Sequence, residues 1–232
     1  MTTTPVRVAV IDSGINPAHP HIGGGVESGV AVATDGSTGT DYHDRLGHGT
    51  AVAAAVRERA PGASLIAVKV FDRQLSASID ALVAGVEWAA AQEVDLINLS
   101  LGTANPAHET VIRRAVARAT AAGALLVAAG TQDRVVYLPG SLAGVVRVEL
   151  DWTCPRMTVG VVPGEGGGGA VCRASGYPRP VPGVPPERNL KGISFAVANV
   201  TGLLAREMSA GSRLSCDEAM DLLRRLSPEP EP

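Results

Sequence analysis

Apolar residues in this chain follow two rhythms. Runs rich in Val, Ile, Leu and Ala, each with at most two polar residues, recur at residues 6–11, 63–70, 95–99 and 124–129. Runs of this kind, without polar alternation, predict strands buried on both faces, as in a parallel sheet. Between them the spacing changes to threes and fours. Ile79, Leu82, Val83, Val86 and Ala90 mark an amphipathic helix that Ser76 can cap and that runs to about Gln92. A second helix is expected over residues 107–122, closed by Gly123. Others open at His48-Gly49-Thr50, near Ser194, and over residues 215–226. Residues 15–47, rich in Gly, Pro, Asp and His, read as loops with little regular structure. From 144 to 171 short strands and turns replace the alternation, with a flexible turn at 164–169, and the Pro-rich stretch 176–188 cannot be regular. Strand–helix alternation predicts an α/β fold, a three-layer open, mostly parallel sheet with helices on both faces. Residues 1–226 read as one domain and 227–232 as a flexible tail.

Composition narrows the possibilities. The chain has 232 residues, 45% of them hydrophobic, enough for one sizeable core. Aromatics make up 3%, so the core is aliphatic and closely packed. A net charge of -3 argues against nucleic acid as a partner, and no apolar run has membrane-spanning length. The N-terminus Met1-Thr2-Thr3-Thr4-Pro5 carries no charged and apolar leader, which predicts a cytoplasmic chain. Cys154, Cys172 and Cys216 are sparse and not spaced as zinc ligands. Free thiols are the expected state, with a Cys154–Cys172 bridge as the alternative.

The chemistry lies where strands end and helices begin, the edge at which open parallel sheets build their sites. Asp12 follows the first strand, Ser100-Leu101-Gly102 the third, and Gly130-Thr131 the fourth. His48 and Ser194 each open a helix. A serine at a helix start can be a simple cap, or it can sit where unpaired N–H groups receive an oxyanion. With an aspartate and a histidine converging on it, the second use becomes nucleophilic acyl transfer: the histidine takes the serine proton and the carboxylate orients the imidazole.

These segments resemble the subtilisin-like serine proteases. Asp12-Ser13-Gly14 is similar to that family's aspartate motif, residues 44–53 around Gly47-His48-Gly49-Thr50 to its histidine block, and Gly192-Ile193-Ser194-Phe195-Ala196 through Gly202 to its serine block. The order Asp, His, Ser is that of subtilisin. The resemblance implies that Ser194 is the nucleophile, His48 the general base and later acid, and Asp12 the orienter. It further implies that Ser100, Leu101 and Gly102 pair with an extended peptide or protein substrate, that Ala128, Ala129 and Gly130 form the facing wall of the specificity pocket, and that the Ser194 N–H is one oxyanion donor. Calcium, frequent in the family, has no place assigned here, and no metal or other cofactor is expected.

Departures from the pattern are local. Thr131 stands where the family usually has an asparagine donor to the oxyanion; losing such a donor costs about 10²–10³-fold in rate in subtilisin itself. Thr131 can act as donor or be a tolerated threonine, and Gln132 or Asn189 can reach in. Ile193 replaces the usual threonine before the serine, and Ala198-Asn199 the usual proline and histidine. His19, His21 and His43 with Asp41 and Asp44 lack helical metal-ligand spacing and read as polar loop residues, Asp44 as one that shapes the loop or the substrate-side rim, while Asp35 and Asp41 are the residues that could join a calcium site of the kind family members carry. The expected activity is that of a serine endopeptidase, specialised for processing and with room for an activating partner protein. A peptide ligase or cyclase on the same acyl-enzyme and a peptide-binding pseudo-protease are the alternatives.

Overall fold

A computed structural model describes residues 4–164 and 169–227. The interior of the turn expected at 164–169 and all but Ser227 of the expected tail lie outside the described residues. The chain runs β1 (Arg7–Asp12), β2 (Ser28–Val32), β3 (Thr38–Gly39), α1 (His48–Arg59), β4 (Ser64–Lys69), α2 (Ile79–Ala91), β5 (Leu96–Leu99), α3 (Glu109–Ala121) and β6 (Leu125–Ala129). It continues through β7 (Thr131–Gln132), β8 (Val135–Val136), β9 (Val145–Leu150), β10 (Gly160–Pro163), β11 (Ala170–Ala174), α4 (Ile193–Glu207) and α5 (Cys216–Leu226).

Among the described residues, nine strands form one sheet in the order β10-β11-β9-β6-β5-β1-β4-β2-β3, and β7 pairs with β8 apart from it. All neighbours in the large sheet are parallel except the two outermost pairs, β10–β11 and β2–β3. Alternate residues of one strand feed two different cores. On β1, Val8 and Val10 join a cluster with α1, α4 and α5, while Ala9 and Ile11 join one with α2 and α3. All four are fully buried. A strand with helices over both faces gains nothing from a polar side, which is why the runs showed no alternation. The expected three layers are therefore present.

Two expectations need correction. The stretch 15–47 is not all loop: β2 pairs with β4 and β3 extends the sheet edge. Ser28 and Gly29 are poor strand formers, so register with β4 makes this strand, not intrinsic preference. The cap of α2 is Ser78, not Ser76; the Ser78 hydroxyl accepts from Ala81 N–H at 3.0 Å.

Connections diverge at β1. The chain goes from β1 to β4 on one side and later returns to β5 on the other. A crevice opens beyond the carboxyl ends of strands at such a switch point. Asp12 ends β1, Ser100 follows β5, and Gly130 follows β6, three adjacent strands.

Candidate active site

Asp12 and His48 meet directly. His48 Nδ1 lies 2.7 Å from Asp12 Oδ1, with the carboxylate fully buried and the imidazole 13% exposed. The strand end is pinned by Val70 and Phe71, whose N–H groups donate to Asp12 O at 2.8 and 3.2 Å. Oδ1 also accepts from Ser13 N–H at 2.7 Å, while Oδ2 is buried without a partner among the described residues. Burial by itself lowers the His48 pKa. The Asp12 hydrogen bond and the charges of Asp12 and Asp44 outweigh it and hold the pKa above its ordinary 6.5. With Nδ1 donating to Asp12, Nε2 is left as the base.

Asp44 ties the start of α1 to the Asp12 loop. Its Oδ1 accepts from Ser13 Oγ at 2.8 Å and from the Leu46 and Gly47 N–H groups at 2.9 Å each. Its Oδ2 accepts from Thr50 N–H at 2.8 Å and Thr50 Oγ1 at 2.7 Å. Gly47, the N-cap position, offers no side chain, so Asp44 and Ser13 supply the capping oxygens; Ser13 Oγ accepts from Gly49 N–H at 2.9 Å. The two loops approach so closely that a Cβ on Gly49 would strike the Gly14 carbonyl, and one on Gly14, at φ 95°, would strike that of Tyr42.

Ser194 occupies the first turn of α4, which has no side-chain cap. Its hydroxyl donates to Ser100 O at 3.3 Å; in this state that bond goes to Ser100 and not to His48. Phe195 sets its ring 5.6 Å from the His48 ring. A buried chain of polar groups runs beneath: Thr201 Oγ1 donates to Asn98 Oδ1 at 2.9 Å, Asn98 Nδ2 to Ser100 Oγ at 2.9 Å, and Ser100 Oγ lies 3.5 Å from Ser194 O. Asn98 and Thr201 were not singled out in the sequence. A polar residue inside the apolar runs Leu96-Ile97-Asn98-Leu99 and Val200-Thr201-Gly202 was the available signal.

Strand register ends at Leu99, so Ser100, Leu101 and Gly102 lie beyond the ladder, and Thr103 pairs with Leu138. Across from them Ala128 and Ala129 are buried, and Gly130 donates to Val148 O at 2.8 Å and accepts from Tyr137 N–H at 2.7 Å. The Thr131 hydroxyl accepts from Arg147 Nη2 at 2.5 Å, which leaves its own proton free to donate. Gln132 turns its amide to Asp133 at 3.4 Å, and Asn189 turns its amide to Arg179 O at 3.3 Å. Among the loop carboxylates, Asp41 pairs with Arg45 at 2.5 Å and Asp35 with Ser37 at 2.6 Å. Among the described residues no three His, Cys, Asp or Glu side chains gather as metal ligands, and Cys154, Cys172 and Cys216 are unbridged.

A three-layer, mostly parallel sheet thus carries a buried aspartate–histidine pair at its switch point, and Ser194 opens a helix at the same edge with its hydroxyl on Ser100 O. The profile of the subtilase family, Peptidase_S8, matches residues 3–151, and the chain belongs to that family. The match includes Asp12 and His48 and ends before Ser194. The chain is 40% identical over 155 residues to a thermostable alkaline protease of Halalkalibacterium halodurans, covering 61% of this chain and 40% of that one. It is 36% identical over 141 residues to subtilisin E of Bacillus subtilis, covering 57% and 35%. It therefore spans less than half the length of these relatives. In fold it is similar to the S41 psychrophilic protease (TM-score 0.73, 24% identity, 95% of this chain and 82% of that one) and to sphericase (TM-score 0.69, 24% identity, 97% and 85%).

Proposed function

We propose that the chain is a serine endopeptidase that cleaves extended peptides through an acyl-enzyme on Ser194. The observation that carries this reading is the 2.7 Å contact between buried Asp12 and His48 Nδ1, which leaves Nε2 free, on a ring 5.6 Å from that of Phe195, the residue after Ser194. A substrate strand pairs with the free edge at Ser100, Leu101 and Gly102. Its N–H competes for Ser100 O, the present acceptor of the Ser194 hydroxyl, and so releases that hydroxyl to His48.

His48 then takes the Ser194 proton as Oγ attacks the scissile carbonyl, and Asp12 stabilises the imidazolium. The developing oxyanion faces the Ser194 N–H at the positive end of α4 and the Thr131 hydroxyl. His48 returns its proton to the leaving amine, and water repeats the sequence to release the acid. Incubation with a peptide mixture, followed by product masses, tests this. Pairs of fragments whose masses together equal the parent peptide plus one water, absent in Ser194→Ala, are expected. Cyclised products lacking the added water would replace hydrolysis by ligation.

The bond from Ser194 to Ser100, instead of to His48, gives substance to a second reading, a protein that holds an extended peptide without cutting it or that needs an activating partner protein. Peptide binding equal in parent and Ser194→Ala, with no turnover in either, favours it.

A further inference from the structure

The specificity of this site follows from what stands between its two walls, and the inference rests on the endopeptidase reading above. A substrate strand lying along residues 100–102 sends the side chain of the residue before the scissile bond into the slot bounded by Gly102 on one side and Gly130 on the other. Glycine on both walls would ordinarily leave that slot wide. Here both open faces are taken. A Cβ added to Gly102 would strike the Leu138 carbonyl at 2.6 Å and sit 3.3 Å from Tyr137 Cβ, and one added to Gly130 would run into the Arg147 stem.

Tyr137 cannot move aside with its loop. Its N–H donates to Gly130 O at 2.7 Å and its carbonyl accepts from Ser141 N–H at 3.0 Å, one bond to the wall and one to the following turn. The next residue, Leu138, exchanges two backbone hydrogen bonds with Thr103, at 3.0 and 2.9 Å. The tyrosine is thus strung from one wall to the other, half-buried, with its Cβ against Gly102. The segment that bears it is short: only Thr131 to Val136 separate Tyr137 from Gly130, and they fold into the β7–β8 pair.

We infer that Tyr137 fills the slot for the residue preceding the cut and restricts that residue to Gly, Ala or Ser. On this assignment the side chain that starts from the Cβ beside Gly102 takes the volume that a large apolar residue would need. An aromatic or long aliphatic residue then meets a wall that is hydrogen-bonded at both ends, and close-packed interiors yield little to extra volume. Even one surplus methylene in a fitted pocket changes kcat/KM by about 10–200-fold, so a whole aromatic ring is excluded.

The test compares three covalent probes on the intact protein: a simple fluorophosphonate, and two peptidyl phosphonates identical except for Ala or Phe at the position before the phosphorus. Rates of Ser194 modification are read by intact mass. The parent is expected to react with the Ala probe at least ~10²-fold faster than with the Phe probe. Tyr137→Gly is expected to raise the Phe-to-Ala rate ratio by a similar factor. Tyr137→Ala serves as a second variant, and the fluorophosphonate rate reports whether either variant is folded. A parent that takes the Phe probe as readily as the Ala probe overturns the assignment. So does a Tyr137 variant that is still modified on Ser194 by the fluorophosphonate and shows no rise in its Phe-to-Ala ratio. A parent inert to all three probes contradicts the endopeptidase reading itself, a result distinguishable from the other two.

Discussion

Removing the Asp44 carboxylate should unfasten His48 from the sheet. Five donors converge on this buried group: Ser13 Oγ, Thr50 Oγ1 and the N–H groups of Leu46, Gly47 and Thr50. A hydrogen bond to a charged group contributes about 1.5–3 kcal/mol net, and an orphaned buried donor costs about 1–3 kcal/mol. The five are not additive, because the two hydroxyls can turn elsewhere and water can reach part of the loop. The three backbone N–H groups have no such freedom. Asp44→Ala is therefore expected to cost ~3–5 kcal/mol. Asp44→Asn keeps one accepting oxygen but points an NH₂ at donors, and should cost about half as much. Urea unfolding in a Ser194→Ala background, which removes self-digestion, gives both values. The acid limb adds a check on sign. Burial pushes the Asp44 pKa up, but the hydrogen bonds from Thr50, Ser13 and Gly47 outweigh it and hold the folded value below the ordinary 3.8. Its contribution is present above the unfolded pKa and disappears as pH falls through the folded one, so the gap between parent and Asp44→Asn should close in acid. An Asp44→Ala protein within ~0.5 kcal/mol of the parent, the range of ordinary surface changes, would refute the clamp.

Because the His48 pKa is raised above 6.5, kcat/KM should climb with pH through a midpoint above that value as the imidazole becomes neutral. The Asp12–His48⁺ pair stabilises the fold below the unfolded pKa and loses that contribution as pH rises through the folded one; Asp12→Asn should lower the midpoint and cut kcat by about 10⁴. Thr201→Val keeps shape but leaves the fully buried Asn98 Oδ1 unpaired, so it should lower kcat with KM little changed, and Thr201→Ser should restore it. Burial drives the Cys172 thiol far up and that of Cys216 to about 11, so an alkylating reagent at neutral pH should spare both until the protein is unfolded.

The sequence rendered the parallel core legible because strands buried on both faces leave near-continuous apolar runs, and residues 8–11, 65–68 and 96–99 carry a single polar residue, Asn98. It concealed β2, whose Ser28 and Gly29 become a strand only against β4. A strand end at Asp12 and a helix start at His48 put both residues at one edge of the sheet, and the structure sets them 2.7 Å apart. It could not show where the Ser194 hydroxyl points, because that depends on a carbonyl at Ser100 brought in from 94 residues away. Nor could it show Tyr137 between the walls, since the short connection from Gly130 resembles any polar turn until the Leu138–Thr103 pairing fixes its path.

The most direct test of the central claim is the intact mass of the protein after exposure to a fluorophosphonate, with the adduct located by peptide mapping. One adduct on Ser194 is expected, absent in Ser194→Ala and strongly slowed in His48→Ala. An unmodified protein, or an adduct on any other residue, would contradict a nucleophile built from Asp12, His48 and Ser194.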